Sequence, residues 1–434
     1  MTKTRELRIG GASMILALSV VLGCAKPAPA PVDQPAVETT APADDALAQS
    51  FARLVATLQA TEASVRTAPA FESDAEQVGG YRHMLRAFAK SLEAEVLQDP
   101  DYPYFRILDF WLREGGDNPD QRYAFTPIRG GETYRVWGEL GSAKRMELQI
   151  YAGRPWDGSG KSAGFMTFEE IEVAADGSFE VWISAEPRDG NWLENPPEAT
   201  TLFARHIFDE WTDAPTGDIH IDRVGFEGKR RPQETTDELA ARIDAMTAMF
   251  GATSQTWPAF VQRRYVQSRP ANTLSAPIDT YALGGAKGRW MSGGFFDLQP
   301  GQALVLRFPE TAAKYQAVQL ADMWFASLES ANQISSLTTK QSVQAPDGAY
   351  WYVISADDPG YPNWLDPGAL TRGPIMVRWD GLVGQLDAAQ YPSAELMAMD
   401  EVESAIPGFT RVTEAQREQI RRDRRRHLQL RSHR

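Results

Sequence analysis

Histidine is the first residue to test for chemistry, and this 434-residue chain has only five. His83, His206 and His220 stand in its body, far apart and without the H-x-x-x-H spacing of a metal site. His427 and His433 belong to the C-terminal tail. His206 follows Arg205 in "TTLFARHIF", a strand-like run, so the two side chains face opposite sides and one enters the core. A His206 facing a cleft is a candidate general base. A hydrogen-bonded structural histidine is the competing reading. Nucleotide chemistry fails in "PWDGSGKS", where Pro155 stands in place of the first P-loop glycine and no convincing helix follows. That stretch reads as a hairpin loop. "GDNPD", Gly116 to Asp120, lacks the ladder of a calcium loop and reads as a Pro-centred turn. Acidic residues are plentiful, but no catalytic pair stands out and no G-x-S-x-G elbow is present. No metal and no cofactor is implied.

The richest polar and aromatic set lies later in the chain: Gln319, Trp324, Asn332, Ser335, Ser336, Gln341, Asn363, Trp364 and Arg378. Tryptophan stacks on a sugar face while Asn, Gln and Arg bind hydroxyls, so this set is a candidate glycan site. Turn capping by Asn and Ser, with Trp packed at a sandwich edge, explains the same residues structurally.

The elements that must position these residues change character along the chain. Leu47, Phe51, Leu54, Val55 and Leu58 fall at helical spacing, as do Tyr81, Leu85, Phe88, Leu92 and Val96. His83 lies on the second of these helices beside Arg82 and reads as a surface or capping residue. From about Tyr123 the pattern turns to strands: "TYRVWGEL", "RMELQIYA", "SFEVWISA" and "TTLFARHIF", with Asp176-Gly177 as hairpin chemistry. A helix with a Thr235/Glu238 capping box interrupts. Strands then return in "ALVLRFP", "YQAVQLADMWF", "AYWYVISA" and "PIMVRWD".

The second set repeats the first. Asp176-Gly177 leads to Ile183-Ser184-Ala185 at the spacing by which Asp347-Gly348 leads to Ile354-Ser355-Ala356. Asn191-Trp192-Leu193 and Asn363-Trp364-Leu365 follow, and the last strands carry Arg205 and Arg378. Several features in order at near-constant offset predict a duplicated β unit joined by a helical connector.

"DPDYPYFRILDF", "GDNPDQRY", "TYRVWGELG", "YQAVQLADMWFASLE", "SSLTTKQ" and "DPGYPNWLDPGALTRGPIMVRW" resemble the uncharacterised bacterial proteins grouped as domain of unknown function twelve-fourteen. The resemblance runs from about residue 45 to the C-terminus and is strongest from Gly301 to Trp379. It implies a β-sandwich, jelly-roll-like fold with helical additions and a closing Arg-rich helix. It implies no reaction.

The N-terminus reads as a targeting segment. Lys3, Arg5 and Arg8 precede an uncharged apolar run from Ile9 to Gly23, too short to span a bilayer comfortably. "VLGC" resembles a bacterial lipobox with Cys24, the only cysteine, as lipid acceptor. Ala25 after it resembles the outer-membrane sorting pattern. A Pro/Ala-rich tether follows. The net charge of −14, with export, argues against nucleic-acid binding. From Arg411 onward nine arginines face three acids, a basic helix expected to dock on the acidic body.

The expected layout is a signal peptide (1–23), tether (24–44), helical region (45–112), first β unit (113–230), helical connector (231–273), second β unit (274–405) and basic helix (406–434). The expected fold is mainly β with helical additions (α+β). The leading functional expectation is a membrane-anchored binding or scaffold lipoprotein of the cell envelope, held by the lipid on Cys24 and recognising polysaccharide or another envelope component. The alternatives are an envelope hydrolase or lyase acting on glycans and a purely structural lipoprotein. The sequence gives no oligomeric state.

Overall fold

In the computed structural model the described residues are 45–108, 110–154, 159–281, 285 and 287–432. Cys24 and the predicted signal and tether lie outside them, as do residues 155–158 of the P-loop-like stretch. The chain begins its described part with α1 (Ala46–Arg66) and α2 (Asp74–Ser91), the latter running into a π-helical turn. Ser73 starts α2 as a capping box. Its Oγ accepts from the Glu76 N–H at 3.3 Å, while Glu76 accepts from the Ser73 N–H at 2.9 Å.

The first β unit comprises β1 (Arg106–Leu108), β2 (Gln121–Pro127), β3 (Tyr134–Glu139), β4 (Arg145–Ala152), β5 (Lys161–Met166), β6 (Ser178–Ser184), β7 (Trp192–Glu194), β8 (Ala199–Ile207) and β9 (His220–Arg223). After α3 (Thr236–Val261), whose Thr235/Glu238 capping box is formed, the second unit follows. It contains β10 (Thr273–Leu274), β11 (Ile278–Asp279), β12 (Trp290–Asp297), β13 (Gln302–Pro309), β14 (Tyr315–Leu320), β15 (Ser336–Thr338), β16 (Ala349–Ile354), β17 (Trp364–Leu365), β18 (Arg372–Asp380) and β19 (Ser393–Ala398).

Each unit is a sandwich of two sheets. The first has orders β1-β2-β8-β4-β5 and β7-β6-β3-β9; the second has β10-β12-β18-β14-β15, with β11 also on β12, and β17-β16-β13-β19. The two orders match strand for strand, including one parallel pair at the same place in each, β6 with β7 and β16 with β17. The predicted duplication is therefore a duplication of topology. Leu148, Ile150 and Leu202 meet Val136, Val181 and Ile183 inside the first sandwich. Val318, Ile375 and Val377 meet Leu304, Leu306 and Tyr352 inside the second.

The sequence of β4 alternates Arg-Met-Glu-Leu-Gln-Ile-Tyr. Its apolar residues enter the core, and an antiparallel sheet would ordinarily turn the polar face to water. Here Glu147 and Gln149 are fully buried. The outer face of the first unit's five-stranded sheet lies against that of the second unit's six-stranded sheet, where Ile207 meets Tyr315 and Ala317. Asn118 and Asp120 of "GDNPD" stitch the seam: Asn118 donates to the Tyr315 hydroxyl at 2.8 Å, and that hydroxyl donates to Asp120 at 2.7 Å.

Helices cover the rest of the second unit's outer face. Val65, Val261 and Tyr265 pack on Phe295, Trp324 and Met376. His83 is buried there rather than at the surface. Its Nε2 lies 3.0 Å from the Ser254 carbonyl, and burial pushes its pKa down to about 4. The helical spacing located α2, but it did not reveal that α3 would cover the polar side as well.

After the short α4 (Val402–Ala405), α5 (Glu414–Ser432) docks along both units. Arg417 grips Asp358 at 2.8 and 2.9 Å, and Arg424 donates to Ser330 and Ser336 carbonyls at 2.9 and 3.0 Å. Arg431 donates to the Pro119 carbonyl at 2.8 Å, and His427 Nδ1 lies 2.9 Å from the Thr212 carbonyl. Two of these three arginines thus direct hydrogen bonds to backbone carbonyls, with Asp120 near enough to act on both. Among the described residues no helix is long and apolar enough to cross a membrane.

Candidate functional site

The buried seam between the two sandwiches opens into a cavity of about 550 Å³. Its walls come from equivalent positions of the duplicated strands. On β2 and β8, Tyr123 pairs across from Arg205; on β12 and β18, Met291 pairs across from Arg378. Phe125 and Phe203 stack beside Arg205 with centroids 4.3 Å apart, and the Arg205 guanidinium lies 4.0 Å over the Phe203 ring. The end of α3 and the turn after it add Trp257, Phe260, Arg264, Tyr265 and Arg269.

Backbone geometry lets the walls close. Gly115 and Gly116 have φ of +64° and +67°, and a Cβ on Gly116 would stand 2.5 Å from the Phe325 ring. Phe325 itself has φ of +63°, a region costly for an aromatic residue, and its carbonyl accepts from the Gly116 N–H at 2.7 Å. A strained aromatic residue thus forms part of the cavity lining.

The electrostatics are uneven. Arg289 is neutralised by Asp380 at 2.6 and 2.5 Å, and Lys90 by Glu114 in a close buried pair. Burial pushes Lys90 down and Asp117 up from their ordinary values, and Asp117 is held by the Ser327 N–H and hydroxyl at 2.9 and 2.7 Å. Four other lining arginines, Arg205, Arg264, Arg269 and Arg378, have no carboxylate oxygen within 4 Å among the described residues; the nearby Glu147 sits 3.9 and 3.7 Å from Arg145 and Arg289. Arg378 is satisfied by neutral acceptors, Gln319 and the Gly116 carbonyl. Arg205 is not. It is 5% exposed, makes one long contact of 3.4 Å to the Tyr151 hydroxyl, and leaves Nη1 buried without a partner. The Trp257 indole nitrogen is also buried without one.

Two side chains distinguish the copies: across the ladder Arg205 faces Glu147 where Arg378 faces Ala317, and the neighbouring glutamine is turned differently. Gln149 and Gln319 are equivalent, on β4 and β14. Gln319 accepts from Arg378 and donates to the Asp117 carbonyl. Gln149 instead accepts from the Tyr151 hydroxyl at 2.9 Å and donates to Ser162 at 3.0 Å. A further cavity of about 450 Å³ shares Lys90 and Phe125 with the first.

The predicted site residues do not share a surface. Arg378 lines the cavity and Gln319 stands behind it. Trp324 is buried under α2, donating to the Glu76 carbonyl at 2.9 Å. Asn332 is exposed and accepts from Arg425 at 2.9 Å. Ser335 donates to the Glu329 carbonyl, Ser336 accepts from Arg424, and Gln341 closes the cap of a short turn with Thr338. Asn363 holds the Val343 N–H and the Val343 and Trp351 carbonyls, while Trp364 donates to the Ser355 carbonyl at 3.0 Å. Asn191 and Trp192 repeat these bonds with Glu172, Glu180 and Ser184. The triplet is a repeated structural clasp. His206 points into the first sandwich near Phe179 and does not line the cavity.

Sequence reasoning missed Arg205, Tyr123, Phe203 and the run Trp257 to Arg269. Two signals carried them: an arginine at matching places in both copies, and aromatic residues alternating with arginines after α3. Lys161 and Ser162 begin β5, so no helix follows the P-loop-like stretch. Among the described residues no group of three His, Cys, Asp or Glu side chains is placed to hold a metal ion.

No protein-family model and no curated protein matches the chain. Among solved structures, an uncharacterized protein from Burkholderia cenocepacia is similar at TM-score 0.74 and 23% identity, covering 82% of this chain and 99% of its own. A protein from Vibrio parahaemolyticus matches at TM-score 0.44 and 13% identity over 74% of this chain and 97% of its own. The Burkholderia likeness shows a shared fold, mainly β sheets in sandwiches with helical additions.

Proposed function

We propose that this chain is a lipid-anchored envelope protein of the domain of unknown function twelve-fourteen type that binds a small ligand between its two sandwiches. The supporting observation is the cavity itself. Its volume lies in the range of small-molecule sites, roughly 300–1,000 Å³, and its walls are aromatic with a few convergent polar groups. A space of this size suits one small molecule or a terminal sugar rather than a polysaccharide laid along a groove. The predicted residues of the second unit offer no such groove, because they are spent on caps and clasps. The anchor rests on the basic start, apolar core and Gly-Cys junction of the sequence.

The enzyme alternative rested on carboxylates with His206 as a candidate base, and His206 sits in the core of the first sandwich. Of the residues first expected to bind, Arg378 lines the cavity, so the binding reading moves to the lining between the two sandwiches. Its test is denaturing extraction of the full-length protein purified in a nonionic detergent, with mass spectrometry against a detergent blank, followed by thermal-shift titration of what is released. A released compound that raises Tm supports the proposal. An empty protein whose Tm responds to no envelope extract counts against it.

A further inference from the structure

We infer that the cavity takes an organic anion, a carboxylate on an aromatic or other apolar body, and that Arg205 is its charge partner. This rests on the cavity being a ligand site. A buried guanidinium with an unfilled donor is costly, since such groups are ordinarily hydrogen-bonded; Glu147, across the ladder from Arg205, offsets its charge but makes no contact with it within 4 Å among the described residues. Arg205 has its equivalent in Arg378, whose needs are met within the protein, so the fold can satisfy an arginine at this position. At Arg205 it does not, because Gln149 is turned to Tyr151 and Ser162. Arg205 lines the cavity, and its Nη1 is buried without a hydrogen-bond partner, a donor that a small shift of the side chain would present to a ligand.

The surroundings narrow the ligand. Arg264 and Arg269 bring two more cations, so the lining is cationic within a chain of net charge −14. Glu114 and Asp117 also line the cavity and disfavour a multiply charged anion such as a phosphate monoester. A single carboxylate matches the planar fork of arginine. Phe125, Phe203, Trp257, Phe260 and Phe325 supply flat apolar surface for the remainder.

The test uses the full-length protein, calorimetry and three probes: 2-naphthoate, the uncharged 2-naphthamide and inorganic phosphate. Naphthoate is expected to bind roughly tenfold or more tightly than the amide, since a hydrogen bond to a charged group carries about that ratio. Inorganic phosphate is expected not to compete. Arg205→Gln should remove the preference for naphthoate while leaving amide binding in place. Arg264→Gln, exposed at the mouth and harmless to the fold, should weaken naphthoate several-fold and reduce its salt dependence. Equal binding of acid and amide, or phosphate displacing naphthoate, would overturn the anion assignment while the cavity stands as a ligand site. Failure of both naphthyl probes at millimolar concentration, with no shift in Tm, would overturn the cavity reading itself.

Discussion

Arg205 and Arg378 occupy equivalent positions on β8 and β18 and have opposite fates: Arg378 is fully engaged by Gln319 and the Gly116 carbonyl, and Arg205 keeps a buried nitrogen without a partner. Their substitutions should therefore differ. Arg378→Met removes two buried bonds and strands the oxygens that accepted them, at a cost of about 2–4 kcal/mol. Arg205→Met gives up one long hydrogen bond, the stacking on Phe203 and part of the charge balance at Glu147, but strands no hydrogen-bond acceptor that it held closely, so its cost should be smaller, about 1 kcal/mol. Urea unfolding of both variants reads the contrast. An Arg205→Met penalty as large as that of Arg378→Met would make Arg205 a structural residue.

The repeated Asn-Trp-Leu triplet should behave as a clasp in both copies. Asn363→Ala leaves three backbone groups without their partner and should cost about 2–3 kcal/mol. Asn191→Ala breaks the same bonds at a half-buried site and should cost less. Neither should alter naphthoate affinity in calorimetry. A variant that folds normally but no longer binds would return the triplet to the ligand site.

Acid should weaken the helical layer through His83. Burial lowers its pKa from 6.5 to about 4, with opposing help from the Ser254 carbonyl and Glu114 and further lowering by Arg86 and Lys90. Between those values the unfolded chain takes up a proton that the folded chain refuses. Stability therefore falls as pH drops from 6.5 toward 4, by roughly 3 kcal/mol from this group, and levels off below. Unfolding measured near neutral pH and near pH 4.5 should show a smaller acid loss in His83→Gln than in the parent. Equal losses would remove His83 as a cause.

Replacing the proposed lipid acceptor should change where the protein is found. Cys24→Ser leaves no thiol in the chain, and the protein should move from the membrane fraction to the soluble fraction. Immunoblots of the two fractions measure this. Retention of the serine variant on membranes would defeat the lipoprotein proposal.

The duplication was legible because its landmarks are local: Asp-Gly turns with φ of +89° and +78° at Gly177 and Gly348, then a strand, then the triplet. Strand β4 was legible from alternation alone. What alternation could not convey is where its polar face goes. "RMELQIYA" has the same pattern whether Arg145, Glu147 and Gln149 meet water or another sheet. The cavity was hidden for that reason, since it lies between faces that read as surface. Its residues come from β2, β4, β8, β12, β18 and the end of α3, and only the packing of one copy on the other brings them together. The same limit put His83 on the surface and gave Asn363 and Trp364 a ligand they do not need.

The docking of α5 has a consequence for the order of assembly. Every strand of both sandwiches is complete by Ala398, and the helix that grips the second unit through Arg417 and the first through Arg431 is synthesised after them all. Each half can close its sheets while the fastening segment is still being made. The halves already meet directly through Asn118, Asp120 and Tyr315, and the late arginines of α5 then add a second set of bonds that runs along both.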